Sequence, residues 1–389
     1  MSDIGLLSTC QLLTFSLSRG GVRSIVQLTI LQELEISIGL EVNIVDFFDL
    51  IIGTSGGGIV AAGLGIRKFG VQKCIDKFQQ VSKQAFTKRT GAGGVFGPLI
   101  EAQHHSRYKT TNLSEALQKA FGEDTILFGG QRDPTHEPIT RVGVSAATPS
   151  RHTFLLSNYQ RPQVASVGRP TYTFYRGETA EEELKVWEAL RATSAAPRYF
   201  KSFYHKASGY TFYDGAITCN NPIFLAHTER KILWPEQHER DPDILLSIGT
   251  LWSNQDGSSS EIDKANPKGK FGVRQYVKNL FGIMMAAVHD DLDCEKTWSS
   301  FYDSLNISEG DGHRKKKYWR INPKIPNTPP ALDSVSSMDD LQDIARKYCS
   351  TSPEIKNVAS TLIASLFYFQ MKSASKITLS GFQTCEGKG

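Results

Sequence analysis

Gly53-Thr54-Ser55-Gly56-Gly57 reads G-x-S-x-G, and it stands between an apolar run, Phe47–Ile52, and a stretch of small and apolar residues from Ile59 to Leu64. A serine on a strand-to-helix turn is held in strained backbone, and the flanking glycines Gly53, Gly56 and Gly57 keep the sharp bend clear of side chains. Its hydroxyl is then presented at the sheet's C-terminal edge and at the positive end of the next helix, where it can attack an acyl carbonyl. The same helix end favours the oxyanion that forms. The string alone also fits a glycine-rich turn that only packs a helix on a strand; the apolar segments on both sides favour the nucleophile. No Gly-Lys-Ser/Thr follows, which excludes a P-loop.

A serine needs a base. The late histidines His227, His238, His289 and His313 do not sit in short glycine-flanked loops after a strand, the place an ordinary Ser-His-Asp hydrolase gives its histidine. Asp214 is the stronger candidate, because it follows the strand-like Tyr210–Tyr213 and precedes Gly215-Ala216, so its carboxylate stands where the backbone turns. A carboxylate that touches the serine directly can serve as general base when partial burial raises its pKa. Asp-Gly is also a very common turn pair, and on spacing alone the turn reading of Asp214 is favoured over the base.

These residues need a frame that brings them together. Leu12–Leu17 reads as a strand, and from Arg23 a helical period puts Ile25, Leu28, Leu31 and Leu34 on one face, ending near Gly39. Phe47–Ile52 reads as a second strand and Ile59–Leu64 as a buried helix. Strand, helix, strand, helix predicts a mostly parallel central sheet covered by helices on both faces. Further along, Asn112–Glu115 predicts a capping-box start for a helix over Leu113–Ala120. Arg141–Ala146, Thr153–Ser157, Ile244–Ile248 and Tyr318–Ile321 read as strands, and Glu181–Ser194 as a helix stopped by Pro197. Gly91–Pro98 and Asn254–Gly272 read as surface loops, and Leu280–Val288 as an apolar core helix. The expected organisation is a catalytic core over 12–250 and a helix-rich part of the same domain over 251–389, which can lead on to a further domain.

The chain has 389 residues, 40% hydrophobic and 22% charged, with a net charge of +4. That composition excludes a disordered chain, and the charge is too small for a dedicated nucleic-acid binder, although it permits approach to an anionic membrane surface. The six cysteines are scattered without a CxxC pair, no signal-peptide pattern opens the chain, and no apolar run has the length of a membrane span. The expectation is a cytoplasmic protein with reduced thiols that can act at the periphery of membranes. His104-His105 has no third ligand at metal spacing, so no metal and no cofactor are expected.

Three segments together resemble the patatin-like phospholipase family. Gly53–Gly58 (GTSGGG) is similar to its nucleophile motif, Asp214-Gly215-Ala216 to its D-G-A/G motif, and Leu17–Ser24 (LSRGGVRS) to its glycine-rich oxyanion loop. Trp187–Pro197, Asn220-Asn221-Pro222 and Leu246–Thr250 follow in the family's order. The resemblance covers Leu12 to Thr250, extends more loosely to about Gln370, and is nearest to the patatin domains of fungal multidomain proteins. It implies a modified α/β-hydrolase fold and a metal-independent lipid acyl hydrolase. It implies Ser55 as nucleophile, Asp214 as base, and the N–H groups of Gly20, Gly21 and Val22, with Arg23 nearby, as oxyanion site. The implied partner is a lipid substrate at a membrane surface. Three loop positions depart from the family's pattern: Ser18 stands for Asp, Arg19 for the first Gly and Ser24 for the last. If the Arg19 position needs positive φ, a side chain there costs about 1 kcal/mol or more. The alternative is therefore a catalytically impaired patatin-fold module that binds lipid or signals.

Overall fold

Leu13, Phe15 and Leu17 turn into the main apolar core while Thr14 and Ser16 face the opposite side of the same strand, an alternation that lays helices on both faces of the sheet. In the computed structural model, which describes residues 13–89, 106–128, 140–162, 170–254 and 292–365 and short strand pairs between 370 and 388, this strand, β1 (Leu13–Leu17), is central. Its neighbours are β2 (Leu50–Thr54) and β8 (Ile244–Ile248), both parallel to it. Beyond β2 come β3 (Arg141–Ala147), β4 (Thr153–Ser157) and β5 (Thr173–Tyr175); beyond β8 comes β9 (Tyr318–Ile321). The order is β5-β4-β3-β2-β1-β8-β9, parallel except for the β3–β4 pair. The hairpin of β6 (Phe203–Tyr204) and β7 (Thr211–Asp214) joins antiparallel to the end of β3.

The first helix, α1 (Ile25–Ile38), buries Ile25, Leu28, Leu31 and Leu34 and stops at Gly39, whose φ of 67° is the left-handed C-cap that glycine favours. The elbow leads into α2 (Gly56–Gly65), buried along its whole length, and then α3 (Val71–Ala85). After these come α4 (Thr110–Phe121), α5 (Val186–Thr193) and α6 (Ile223–Leu233). Leu225 and Ala226 of α6 pack on Leu50, Ile52 and Leu155, while Ile51 faces the core shared with α1 and α2. Both faces of the sheet are therefore covered. Beyond β8 lie α7 (Leu292–Ser304), the short α8 (Gly312–Lys315), α9 (Met338–Thr351) and α10 (Pro353–Ser365). The last two pack on α1. Among the described residues no helix is long and apolar enough to cross a membrane.

Some boundaries differ from the sequence expectation. The second strand begins at Leu50, because Ile44–Phe47 form a short 3-10 turn before it. The helix expected from Asn112 starts at Thr110 with Lys109 at its N-cap, and Asn112 lies inside the first turn without capping it. Glu181–Ser194 is not one helix. A 3-10 turn covers Ala180–Glu182, after which the chain runs extended beside 125–127, with Leu127 N–H on Leu184 O at 2.8 Å and Val186 N–H on Thr125 O at 2.8 Å. Only then does α5 begin. Gly91–Pro98, most of Asn254–Gly272, Leu280–Val288, His289 and His104-His105 lie outside the described residues.

Candidate active site

β2 ends at Thr54, α2 starts at Gly56, and Ser55 between them has φ 55° and ψ −123°. Backbone of that kind costs a non-glycine residue about 1–3 kcal/mol and persists only where its surroundings hold it. Here the Ser55 N–H donates to Thr193 Oγ1 at the end of α5 (2.9 Å), and the Ser55 carbonyl accepts from Gly58 and Ile59. The glycines around it leave no room for a side chain. A Cβ on Gly53 would stand 2.4 Å from Gly57 O, one on Gly57 2.6 Å from Ser18 O, and one on Gly56 2.7 Å from Gly21 O. Gly215 is equally confined, 2.4 Å from Ser145 O.

Asp214 closes β7, where pairing with Ala146 of β3 and an N–H bond to Ala195 O fix its backbone beside the elbow. Its Oδ2 accepts the Ser55 hydroxyl at 2.7 Å, and its Oδ1 accepts the Ala216 N–H at 2.8 Å. The carboxylate is 1% exposed and the serine 8%. Burial raises the Asp214 carboxyl from 3.8 to about 6, and the Ala216 N–H, the Ser55 hydroxyl and the charges of Arg19 and Arg191 hold it back from rising further. The pair can thus pass a proton from hydroxyl to carboxylate without a third group.

The loop from Ser18 to Ser24 lies over the elbow. Ser18 N–H bonds Ile248 O, and the buried Gln27 of α1 donates to the carbonyls of both Ser18 (2.8 Å) and Ile248 (3.0 Å). Within the loop only Gly21 has positive φ, 53°. Arg19 and Ser24 adopt ordinary backbone, so neither position needs the glycine of the family's pattern. The donor set needs one correction. The Val22 N–H is committed to Leu332 O (2.9 Å) and the Arg23 N–H to Gly20 O (2.9 Å), because Leu332 closes on the loop from outside. Among the described residues the N–H groups of Gly20 and Gly21 have no backbone acceptor, and the Gly56 N–H, first of α2, is free of the helix ladder. These three line the space in front of Ser55 and can receive an oxyanion.

Ser55 and Asp214 lie in the wall of a cavity that opens to solvent. Its remaining walls are mostly apolar, with Phe78, Val81 and Phe86 from α3 and the segment after it, Leu113 from α4, and Phe200 and Leu332, while Arg19, Ser82, Ser194 and Tyr199 add polar groups. Among the described residues no histidine lines it. His227 is packed against Phe301, with its pKa pushed down by burial to about 3, and His205 bonds Ser208. Thr193 and Leu332, which hold the elbow and the loop, were not singled out from sequence, since neither has a local pattern that announces its partner.

A family profile described as patatin-like phospholipase matches residues 15–227, more than half of the chain. Among curated proteins, the chain is 27% identical over 275 residues to phospholipase A I of Arabidopsis thaliana, covering 59% of this chain and 20% of that protein. It is 27% identical over 350 residues to the calcium-independent phospholipase A2-gamma of Mus musculus, covering 88% of this chain and 39% of that one. It is 28% identical over 274 residues to a cGAMP-activated phospholipase of Escherichia coli, covering 68% and 69%. The chain therefore spans a fifth to two fifths of the first two relatives and about two thirds of the third. The matched span contains the elbow, the loop and Asp214, set on a mostly parallel sheet between helices, and on that ground the chain belongs to the patatin-like phospholipase family.

Proposed function

We propose that the protein is a lipid acyl hydrolase of the phospholipase A type that works through Ser55 and Asp214 without a metal. The observation that carries this reading is the 2.7 Å contact between the Ser55 hydroxyl and the Asp214 carboxylate in the wall of an apolar cavity. In the first half-reaction Asp214 takes the hydroxyl proton as Ser55 Oγ bonds to the ester carbonyl carbon. The carbonyl π electrons move to oxygen, where the N–H groups of Gly20, Gly21 and Gly56 stabilise the charge. The tetrahedral adduct collapses, and the glycerol oxygen leaves with the proton that Asp214 held. In the second half Asp214 takes a proton from water, the hydroxide adds to the acyl-enzyme, and the fatty acid departs as Ser55 regains its proton. The three relatives described above, all phospholipases by name, support the same class of substrate.

We also propose that residues 12–250 and 251–389 form one unit, a reading supported by β9 in the same sheet and by α9 and α10 on α1. The test of activity is fluorophosphonate labelling of the protein beside Ser55→Ala and Asp214→Asn, followed by fatty-acid release from mixed phospholipid vesicles. The native protein is expected to label and to release fatty acid, with both variants down by about 10³-fold or more. A native protein as inert as Ser55→Ala would overturn the enzyme and leave the impaired lipid-binding module.

A further inference from the structure

Among the described residues that line the cavity only two are charged, Asp214 and Arg19. Arg19 is 2% exposed, and its main chain is fixed on both sides: its N–H donates to Asn220 O at 2.9 Å and its carbonyl accepts from Thr250 Oγ1 at 2.8 Å. Its charge reaches Asp214. The other buried guanidiniums nearby are placed differently. Arg191 and Arg23 do not line the cavity, and Arg191 donates to Lys201 O behind Phe200. Arg19, one residue before Gly20, is thus the one cationic residue among the described residues of the cavity wall.

That position has a chemical meaning. An ester whose carbonyl oxygen sits against Gly20 and Gly21 lies beside Arg19, the neighbouring residue of the loop and of the same cavity wall. In a glycerophospholipid two carbons and one oxygen separate the alkoxy oxygen of the sn-2 ester from phosphorus. Guanidinium matches phosphate with paired charge-assisted hydrogen bonds, and it does so best where water is excluded. We propose that Arg19 is the specificity residue for the headgroup, binding the phosphate of a glycerophospholipid or lysophospholipid whose acyl ester lies at Ser55, so that phosphate-bearing esters are cleaved in preference to neutral glycerides. The assignment rests on the reading of Ser55 and Asp214 as an ester-cleaving pair.

The test compares dihexanoyl phosphatidylglycerol with dihexanoylglycerol below their micelle concentrations, in the native protein, Arg19→Gln and Arg19→Lys. The readout is the ratio of kcat/KM for the phosphate-bearing over the neutral ester, which an effect of Arg19 on Asp214 alone would not move. The ratio is expected to fall about tenfold or more in Arg19→Gln, and less in Arg19→Lys, which keeps charge without the fork. Rates that fall together at constant ratio overturn the proposal. Calorimetry with a di-ether phosphatidylglycerol, a neutral di-ether glycerol and inorganic phosphate reads binding apart from hydrolysis. Tighter binding of the ether phospholipid that is lost in Arg19→Gln supports the assignment even if the native protein cleaves nothing, in which case the failure belongs to the catalytic reading. Inorganic phosphate binding as tightly as the ether phospholipid means a free-anion site and overturns the headgroup role. Arg19→Lys keeps the question open to test should Arg19→Gln fail to fold.

Discussion

Asp214 holds one carboxylate oxygen against a hydroxyl and the other against a backbone N–H, and burial keeps its pKa near about 6. Two consequences with opposite signs follow. As a base the carboxyl works only when ionised, so kcat/KM is expected to rise through about pH 6 and to fall about tenfold per pH unit below it; a pH–rate profile on a soluble ester checks this. Stability runs the other way. The unfolded carboxyl titrates at its ordinary 3.8, so between that value and about 6 the folded protein keeps a proton that the unfolded chain releases. Stability therefore falls as pH rises through that window and is level above it. Asp214→Asn is expected to be more stable than the native protein at about pH 8, by up to about 3 kcal/mol, and no more stable at about pH 3.5. Thermal melts at the two pH values decide it. Ser55 was legible in its string, GTSGG, between two apolar segments, whereas DGA alone reads as a turn and only the resemblance to the family pointed to Asp214. Arg19 was legible only as a departure. Its main-chain partners, Asn220 and Thr250, come from far along the sequence, and nothing local says that its backbone has no need of glycine.

At the scale of elements, the elbow is a joint between β2, α2 and α5. Thr193, the last residue of α5, accepts the N–H of Ser55 and is fully buried. Thr193→Val keeps the shape and removes the acceptor, leaving a buried donor without a partner. It is expected to cost about 1–3 kcal/mol by denaturant melts and to slow fluorophosphonate labelling, while Thr193→Ser restores both. Most of the longer strands were read to within a residue because apolar runs end at glycine or aspartate, as at Ile248-Gly249 and Tyr213-Asp214, whereas β2 starts three residues later than its apolar run and the short β5 and β6 carry no such signal. Two helix starts were read wrongly for a common reason, tertiary bonding. The approach to α4 is fixed by Tyr108 N–H on Tyr199 O, which brings the helix in ahead of Asn112. The residues before α5 pair with 125–127, which holds them extended despite helix-forming glutamates. Local propensity lost to a partner distant in sequence.

For the whole molecule, the cavity is closed from several directions. Leu332 lines it and fixes the Val22 N–H, and the next residue, Asp333, accepts from the Tyr108 hydroxyl (2.6 Å) and from Arg107 (2.7 Å). The Tyr108 ring packs edge-on against Phe86, another cavity residue. The same late part of the chain supplies β9 to the sheet and covers α1 with α9 and α10. A chain cut after residue 254 keeps Ser55, Asp214 and Arg19. It uncovers the β8 edge and the apolar side of α1, and it frees the glycine loop from Leu332. It is expected to precipitate or bind a hydrophobic dye on expression, and not to label; a soluble, cooperatively melting product would refute the one-unit proposal.

The hydrogen bond from Val22 to Leu332 also bears on the order of events in synthesis. In a growing polypeptide Ser55 is made before Asp214, and Leu332, the strap that seats the glycine loop, is made after both. On the proposed reading, the glycine loop that receives the oxyanion is therefore left unseated until translation has passed Leu332.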